Sequence, residues 1–251
     1  MKVTFLGTGT STGNPQLLCN CPVCLSKDSK DKRLRASILI ESESATVLVD
    51  CGPDFRQQAL RAGISHIDGV VLTHEHYDHV GGLDDLRPYC TYAEMPVYTY
   101  QRVIDQLKAA MPYSFSAHPY PGVPLYNMHA VDSKPFTVGG MVMTPITLRH
   151  HTLPVLGLRM GDLAYLTDFN HIESEELEKL KGIKVLIIDA LRAEEHISHN
   201  SLPQALAVIE AVKPTSAWLI HMSHDMGFHQ EVDAMLPQGV SLSWDGLVVT
   251  I

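Results

Sequence analysis

A layered α/β protein is what three features of this sequence predict. Apolar runs of strand length recur along all 251 residues, helical patterns fall between them, and no linker separates one half from the other. Apolar residues make up 45% of the chain and charged residues 19%, a globular composition rather than a disordered one. A chain of this length can bury a substantial core as one domain, here taken as 1–251.

The elements follow in order. "KVTFLG" (2–7) reads as a strand running into a glycine turn. The turn "GTGTSTGNP" (7–15) is neither Gly-x-Gly-x-x-Gly nor a Walker motif with its lysine, so it carries no nucleotide reading. Strands are predicted at 37–42, 46–52, 69–74, 141–148, 155–160, 163–168, 184–190, 217–222 and 247–251. Helices are predicted near 54–62, 101–110, 173–180 and 201–212, the last with Ser201 as N-cap and Pro203 in its first turn. The Pro-rich "HPYPGVP" (118–124) reads as a long loop. His- and Asp-rich segments fall where strands end, at 74, 150, 168 and 221, and strand-end loops on a rigid sheet are where sites are built.

The formal net charge of −9 argues against passive binding to nucleic acid or to an anionic membrane. It leaves room for an anionic substrate, because bound cations invert the local field. No apolar run reaches membrane-spanning length, and "MKVTFLGTGT" lacks the features of a signal peptide. Five cysteines, three of them in "CNCPVC", then predict a cytoplasmic protein with a metal-binding cluster rather than disulfides.

The densest signal is "THEHYDHVGG" (73–82), with His74, His76, Asp78 and His79 inside six residues. Imidazole and carboxylate are the usual ligands of borderline divalent cations. His74 and His76 alternate and can point the same way in an extended segment, while Asp78 and His79 fall in a turn and can face a second ion.

His-x-His-x-Asp-His after a strand resembles the metallo-β-lactamase superfamily, and the upstream "VLVDCG" (47–52) and the later single ligands come in that family's order. The resemblance implies a four-layer αββα sandwich of two related halves with a binuclear site on one edge. It implies that His74, His76 and His150 bind one metal, that Asp78, His79 and His221 bind the other, and that Asp168 in "YLTD" bridges them. His151 is the neighbour that competes with His150; the family pattern, with the ligand directly after the strand, favours His150.

"LLCNCPVCLSK" holds Cys19, Cys21 and Cys24, a soft site suited to zinc that lacks one ligand of a tetrahedron. Together with "GLDDLRP" (82–88) and "HISHNSLPQAL" (196–206), it resembles the PhnP-like phosphoribosyl cyclic phosphodiesterase subfamily. That resemblance implies a structural Zn2+ on the three cysteines and His224, with His229 as the rival fourth ligand. It further implies that His199 contacts phosphate or acts as general acid, and it suggests a homodimer. Asp189 ends an apolar strand, where it could support a ligand histidine. Cys51 and Cys90 read as buried apolar residues, and Asp84–Asp85 as a capping or supporting pair.

The expected activity is hydrolysis of a small, cyclic phosphate diester by a water activated between two divalent cations, Mn2+ or Zn2+, with Fe or Ni also compatible. His199 would protonate the leaving oxygen, a contribution of about 10²–10⁴-fold. The alternatives are a transfer-RNA 3′-end nuclease, a thioester hydrolase, and a non-enzymatic metal-binding sensor. No long basic arm supports the first, and the full set of expected ligands speaks against the last.

Overall fold

The computed structural model describes residues 1–251. The first sheet is built from β1 (Lys2–Gly7), β2 (Ser37–Glu41), β3 (Thr46–Val49), β4 (Gly69–Val71), β5 (Met95–Thr99) and β6 (Tyr126–Ala130). The second uses β7 (Phe136–Val138), β8 (Met141–His150), β9 (Leu153–Met160), β10 (Leu163–Leu166), β11 (His171–Ile172), β12 (Val185–Asp189), β13 (Ser216–Ile220) and β14 (Val240–Leu242). The chain then returns to the first sheet as β15 (Val248–Thr250), so that sheet runs β15-β1-β2-β3-β4-β5-β6. The second runs β11-β8-β9-β10-β12-β13-β14, with β7 paired to β8.

Period-two patterning explains the layers. Val3, Phe5, Ile38, Ile40, Val47 and Val49 of the first sheet join Leu158, Tyr165, Val185 and Ile187 of the second in one buried cluster. The alternate residues Leu6, Leu39, Leu48 and Val70 face the other way, onto α2 (Phe55–Ala62) and α4 (Gln101–Ala110). Ala164, Leu166, Leu186 and Ile188 likewise face α6 (Leu202–Val212) and α7 (His229–Met235). Both faces of each central strand are buried, which is why these strands read as continuous apolar runs. The result is the αββα sandwich that the resemblance implies.

The predicted strands all form, most of them a residue or more shorter than their apolar runs. β5, β6, β7, β11 and β14 are not apparent in the sequence. β6 is an edge strand with the polar sequence Tyr-Asn-Met-His-Ala, and β5 carries Pro96, so neither has a central strand's signature. α6 begins with Ser201 as N-cap and Pro203 in its first turn, as its sequence predicts, and Gln204 adds a capping box. The predicted helix at 173–180 shortens to α5 (Ser174–Glu178). Shorter helical pieces include α1 (Pro22–Leu25) and α3 (Tyr77–Val80). No helix is long and apolar enough to cross a membrane.

Adjacent strands β3–β4, β10–β12 and β12–β13 are parallel, so their C-terminal ends open on one edge of the sandwich. That edge is where open α/β sheets hold ligands. Asp50 and His221 follow directly after β3 and β13, Asp168 comes two residues after β10, and all three have positive φ, at 61°, 63° and 49°. A left-handed bend costs an L-residue on the order of 1 kcal/mol, and here it turns each side chain across the strand ends.

Candidate metal centre

Asp168 is the hub of the edge. Its Oδ2 lies 2.9 Å from His79 Nε2 and 3.3 Å from His74 Nε2, and its Oδ1 lies 2.9 Å from His221 Nε2. Asp78 Oδ2 approaches His79 Nε2 at 3.2 Å and His221 Nε2 at 3.4 Å. Single donor atoms of Asp78, His79, Asp168 and His221 fall within 4.8 Å of one another, as do those of His74, His76 and Asp168. His150 faces this second group from across the cleft, its ring 5.2 Å from that of His76. His151, by contrast, is exposed and takes a left-handed bend away from the group. The one-turn helix α3, rather than a loose turn, rotates Asp78 and His79 inward while leaving His76 at its N-cap.

Each imidazole is oriented from behind. His79 Nδ1 donates to Asp50 Oδ2 at 2.7 Å. His74 Nδ1 donates to Thr73 Oγ1 at 3.0 Å, and that hydroxyl in turn donates to Asp50 at 2.9 Å. His150 Nδ1 donates to the Ser198 carbonyl at 2.8 Å. All three bonds leave Nε2 as the donor toward the cleft. Asp50 therefore aims one histidine of each group, a role the sequence reading did not give it. The signal was present in "VLVDCG", where a charged residue ends an apolar strand.

The electrostatics fit divalent cations. The Nε2 atoms of His74 and His79 are buried without a hydrogen-bond partner, although carboxylates lie close by. Burial would raise Asp168, but His221 and His79 outweigh it and hold that carboxyl well below its usual range. Burial would lower His79, yet Asp168, Asp78 and Asp50 keep it well above its usual value. His221 is likewise driven up to about 10, against its burial, chiefly by Asp168. His74 lacks such an excess of negative charge, and burial takes it down to about 3. A cluster of buried carboxylates that forces protons onto its histidines is one that cations would neutralise.

Asp189 stands behind the cleft. Its Oδ2 is 3.4 Å from His199 Nδ1 and accepts from the backbone N–H of Asn200 at 3.2 Å, while its Oδ1 is 3.8 Å from His221 Nδ1. His199 stacks on His221 with ring centroids 5.0 Å apart, at the lip of the centre. Asp84 lies on the surface instead, forked by Arg87 and bonded by the Tyr113 hydroxyl.

A second group forms next to this edge. One donor atom each from Cys19, Cys21, Cys24 and His224 falls within 4.8 Å of the others. His224 Nε2 donates to Gln16 Oε1 at 3.0 Å, which turns Nδ1 toward Cys21 Sγ at 3.4 Å. A hydrogen bond from the Cys24 backbone N–H holds the Cys21 thiol down, at about 7, so the thiolate that a cation needs is within reach. Burial raises Cys24 to about 11, and a cation would have to displace that proton.

His229 is not part of that group. It is buried with Nδ1 at 3.1 Å from an Arg33 guanidinium nitrogen, and its backbone N–H donates to Asp31. Burial and Arg33 lower it to about 4, from an ordinary value of 6.5. A histidine depressed in the folded state lends stability that is complete above pH 6.5 and is lost as pH falls toward 4. The loss amounts to about 3 kcal/mol at most. Melting curves of wild type and His229→Asn across that window should converge as the pH falls; parallel curves would contradict this account.

With the geometry in hand, the comparison with known proteins is direct. Residues 45–222 match the model of the Beta-lactamase superfamily domain. The chain belongs to that superfamily. Within it, a solved diphosphatase from the PhnP family is 37% identical, covers 100% of this chain and 97% of its own, and superposes with a TM-score of 0.93. The chain is a PhnP-like member of the superfamily.

An octanoyltransferase of Porphyromonas gingivalis (strain ATCC BAA-308 / W83) is 45% identical over 254 residues, which cover all of this chain and 52% of that protein. Coenzyme PQQ synthesis protein B of Xanthomonas oryzae pv. oryzae (strain MAFF 311018) is 31% identical over 163 residues, 59% of this chain and 52% of that protein. The chain thus spans about half the length of the curated relatives it matches. Zn(2+)-bound PqqB from Methylobacterium extorquens shares the fold at 18% identity, with full coverage of both chains and a TM-score of 0.80.

Proposed function

We propose that this chain hydrolyses a small, cyclic phosphate diester of the phosphoribosyl type, using two divalent cations, Mn2+ or Zn2+, with a structural Zn2+ on the cysteine group. The observation that carries this reading is the pairing of two donor groups through Asp168 with His199 at their lip, its Nδ1 3.9 Å from Asp168 Oδ1. The full-length likeness to a PhnP-family diphosphatase supports the coarser part of this reading, hydrolysis of a phosphate compound.

When bound, such cations lower the pKa of a water and polarise phosphoryl oxygens. His74, His76 and His150 would hold one, Asp78, His79 and His221 the other, and Asp168 both. The residues then divide the remaining work. Asp50 keeps the Nε2 lone pairs of His79 and His74 turned inward. His199 gives a proton to the leaving oxygen as the P–O bond breaks and the water oxygen joins phosphorus. Asp189, 3.4 Å behind Nδ1, orients that imidazole.

A second reading is hydrolysis of an acyl thioester. The octanoyltransferase likeness favours it, although this chain corresponds to only 52% of that protein.

The deciding experiment supplies Mn2+ and compares a five-membered cyclic ribose phosphate, an aryl phosphodiester, a diphosphate ester and an octanoyl thioester. A kcat/KM for the cyclic phosphate at least tenfold above the others supports the first reading. Thioester cleavage without diester cleavage overturns it in favour of the second.

A further inference from the structure

We infer that Arg102 is a positioning residue that sets the spacing of the three-histidine half of the metal centre. The inference rests on the reading of His74, His76 and His150 as one donor group. Glu75 lies between the first two of these histidines. Arg102 donates through one terminal nitrogen to both Glu75 carboxylate oxygens and through the other to the Pro154 carbonyl. Pro154 sits at the start of β9, just across the turn from His150, and pairs with Arg149 in the hairpin. One guanidinium therefore joins the segment carrying His74 and His76 to the hairpin carrying His150.

Sheet pairing does not do this job. Between these two segments a backbone bond runs from Leu156 N–H to the Thr73 carbonyl at 3.0 Å, one residue short of the first histidine. The histidines themselves lie past that bond, on opposite sides of the cleft. Arg102 bridges the two segments where the backbone bond leaves off.

Local helix chemistry does not account for Arg102 either. It stands in the first turn of α4, which has no acidic residue there, and a cation at a helix N-terminus is electrostatically misplaced. Its Nε is buried without a partner, while both terminal nitrogens donate to these two acceptor groups. The rigid fork is what the position exploits, since a lysine ammonium reaches such divergent acceptors poorly.

The test measures Mn2+ affinity by calorimetry in two backgrounds. His221→Ala leaves the three-histidine half as the intact one, and His150→Ala leaves the half with Asp78 and His79. Adding Arg102→Met to the first background should weaken Mn2+ binding by about 10–100-fold, with Arg102→Lys falling between. Adding it to the second should change affinity by less than about twofold. Glu75→Gln, of equal size, should weaken binding in the first background in the same direction and guards against a folding defect in Arg102→Met.

Unchanged affinity in the first background, or equal losses in both, overturns the inference. A His74→Ala change that leaves Mn2+ binding intact in the first background would instead overturn the reading of the donor group itself.

Discussion

Asp168→Asn is expected to lower kcat/KM by about three orders of magnitude or more and to halve the bound catalytic metal. A shared carboxylate contributes several kcal/mol of charge stabilisation, and the amide that replaces it is a neutral, weaker donor. The substitution is a fair test because Asp168 sits at φ 49°, where asparagine is among the few residues that bend without added strain. Side-chain volume also hardly changes, so loss of activity reads chemistry rather than collapse. Metal content by elemental analysis and the melting temperature of the metal-free protein complete the measurement. Retention of a tenth of the activity with both metals bound would end the view of Asp168 as hub.

His224→Ala is expected to act in the opposite sense. It should remove one zinc per chain and lower stability by about 3 kcal/mol, while leaving a substantial share of the turnover. The group it belongs to ties the Cys19–Cys24 loop to the segment after β13, a contact otherwise carried by small polar groups such as Gln16 on His224. His221→Ala is the matched control, since it should abolish turnover with that zinc retained. The pair separates the two histidines of "HMSH". His221, with φ 63°, turns into the cleft, whereas His224 begins the next helical turn and faces the cysteines. If both variants lost the same ion, this division would fail.

Much of this was legible in the sequence. The strand periodicity, the His-x-His-x-Asp-His run and the Cys-x-Cys-x2-Cys run each carry their chemistry in local spacing. Asp168 and His150 could be placed through the family's order of ligands, and the structure seats them just past β10 and at the end of β8. Asp50 escaped because nothing in "VLVDCG" says that a residue 29 positions upstream will meet His79. Asp189 stayed open for the same reason: its contacts with His199 and His221 come from parallel pairing of β12 with β13, a long-range property. The edge strand β6 was illegible because one side of it packs on nothing that demands apolar residues.

Neither sheet owns a complete donor group. His74, His76, Asp78 and His79 come from the first sheet's end, and His150, Asp168 and His221 from the second's. A cation held by either group therefore pins one sheet to the other, on the edge where they would part. An unfolding transition state that begins by separating the layers would have to give up those bonds first. Bound cations should then act mainly as a brake on the unfolding rate and only weakly as an aid to folding, because the groups assemble after both sheets have closed. Chelation would then shorten the lifetime of the native state and, with the folding rate little changed, lower its equilibrium stability by nearly the same factor.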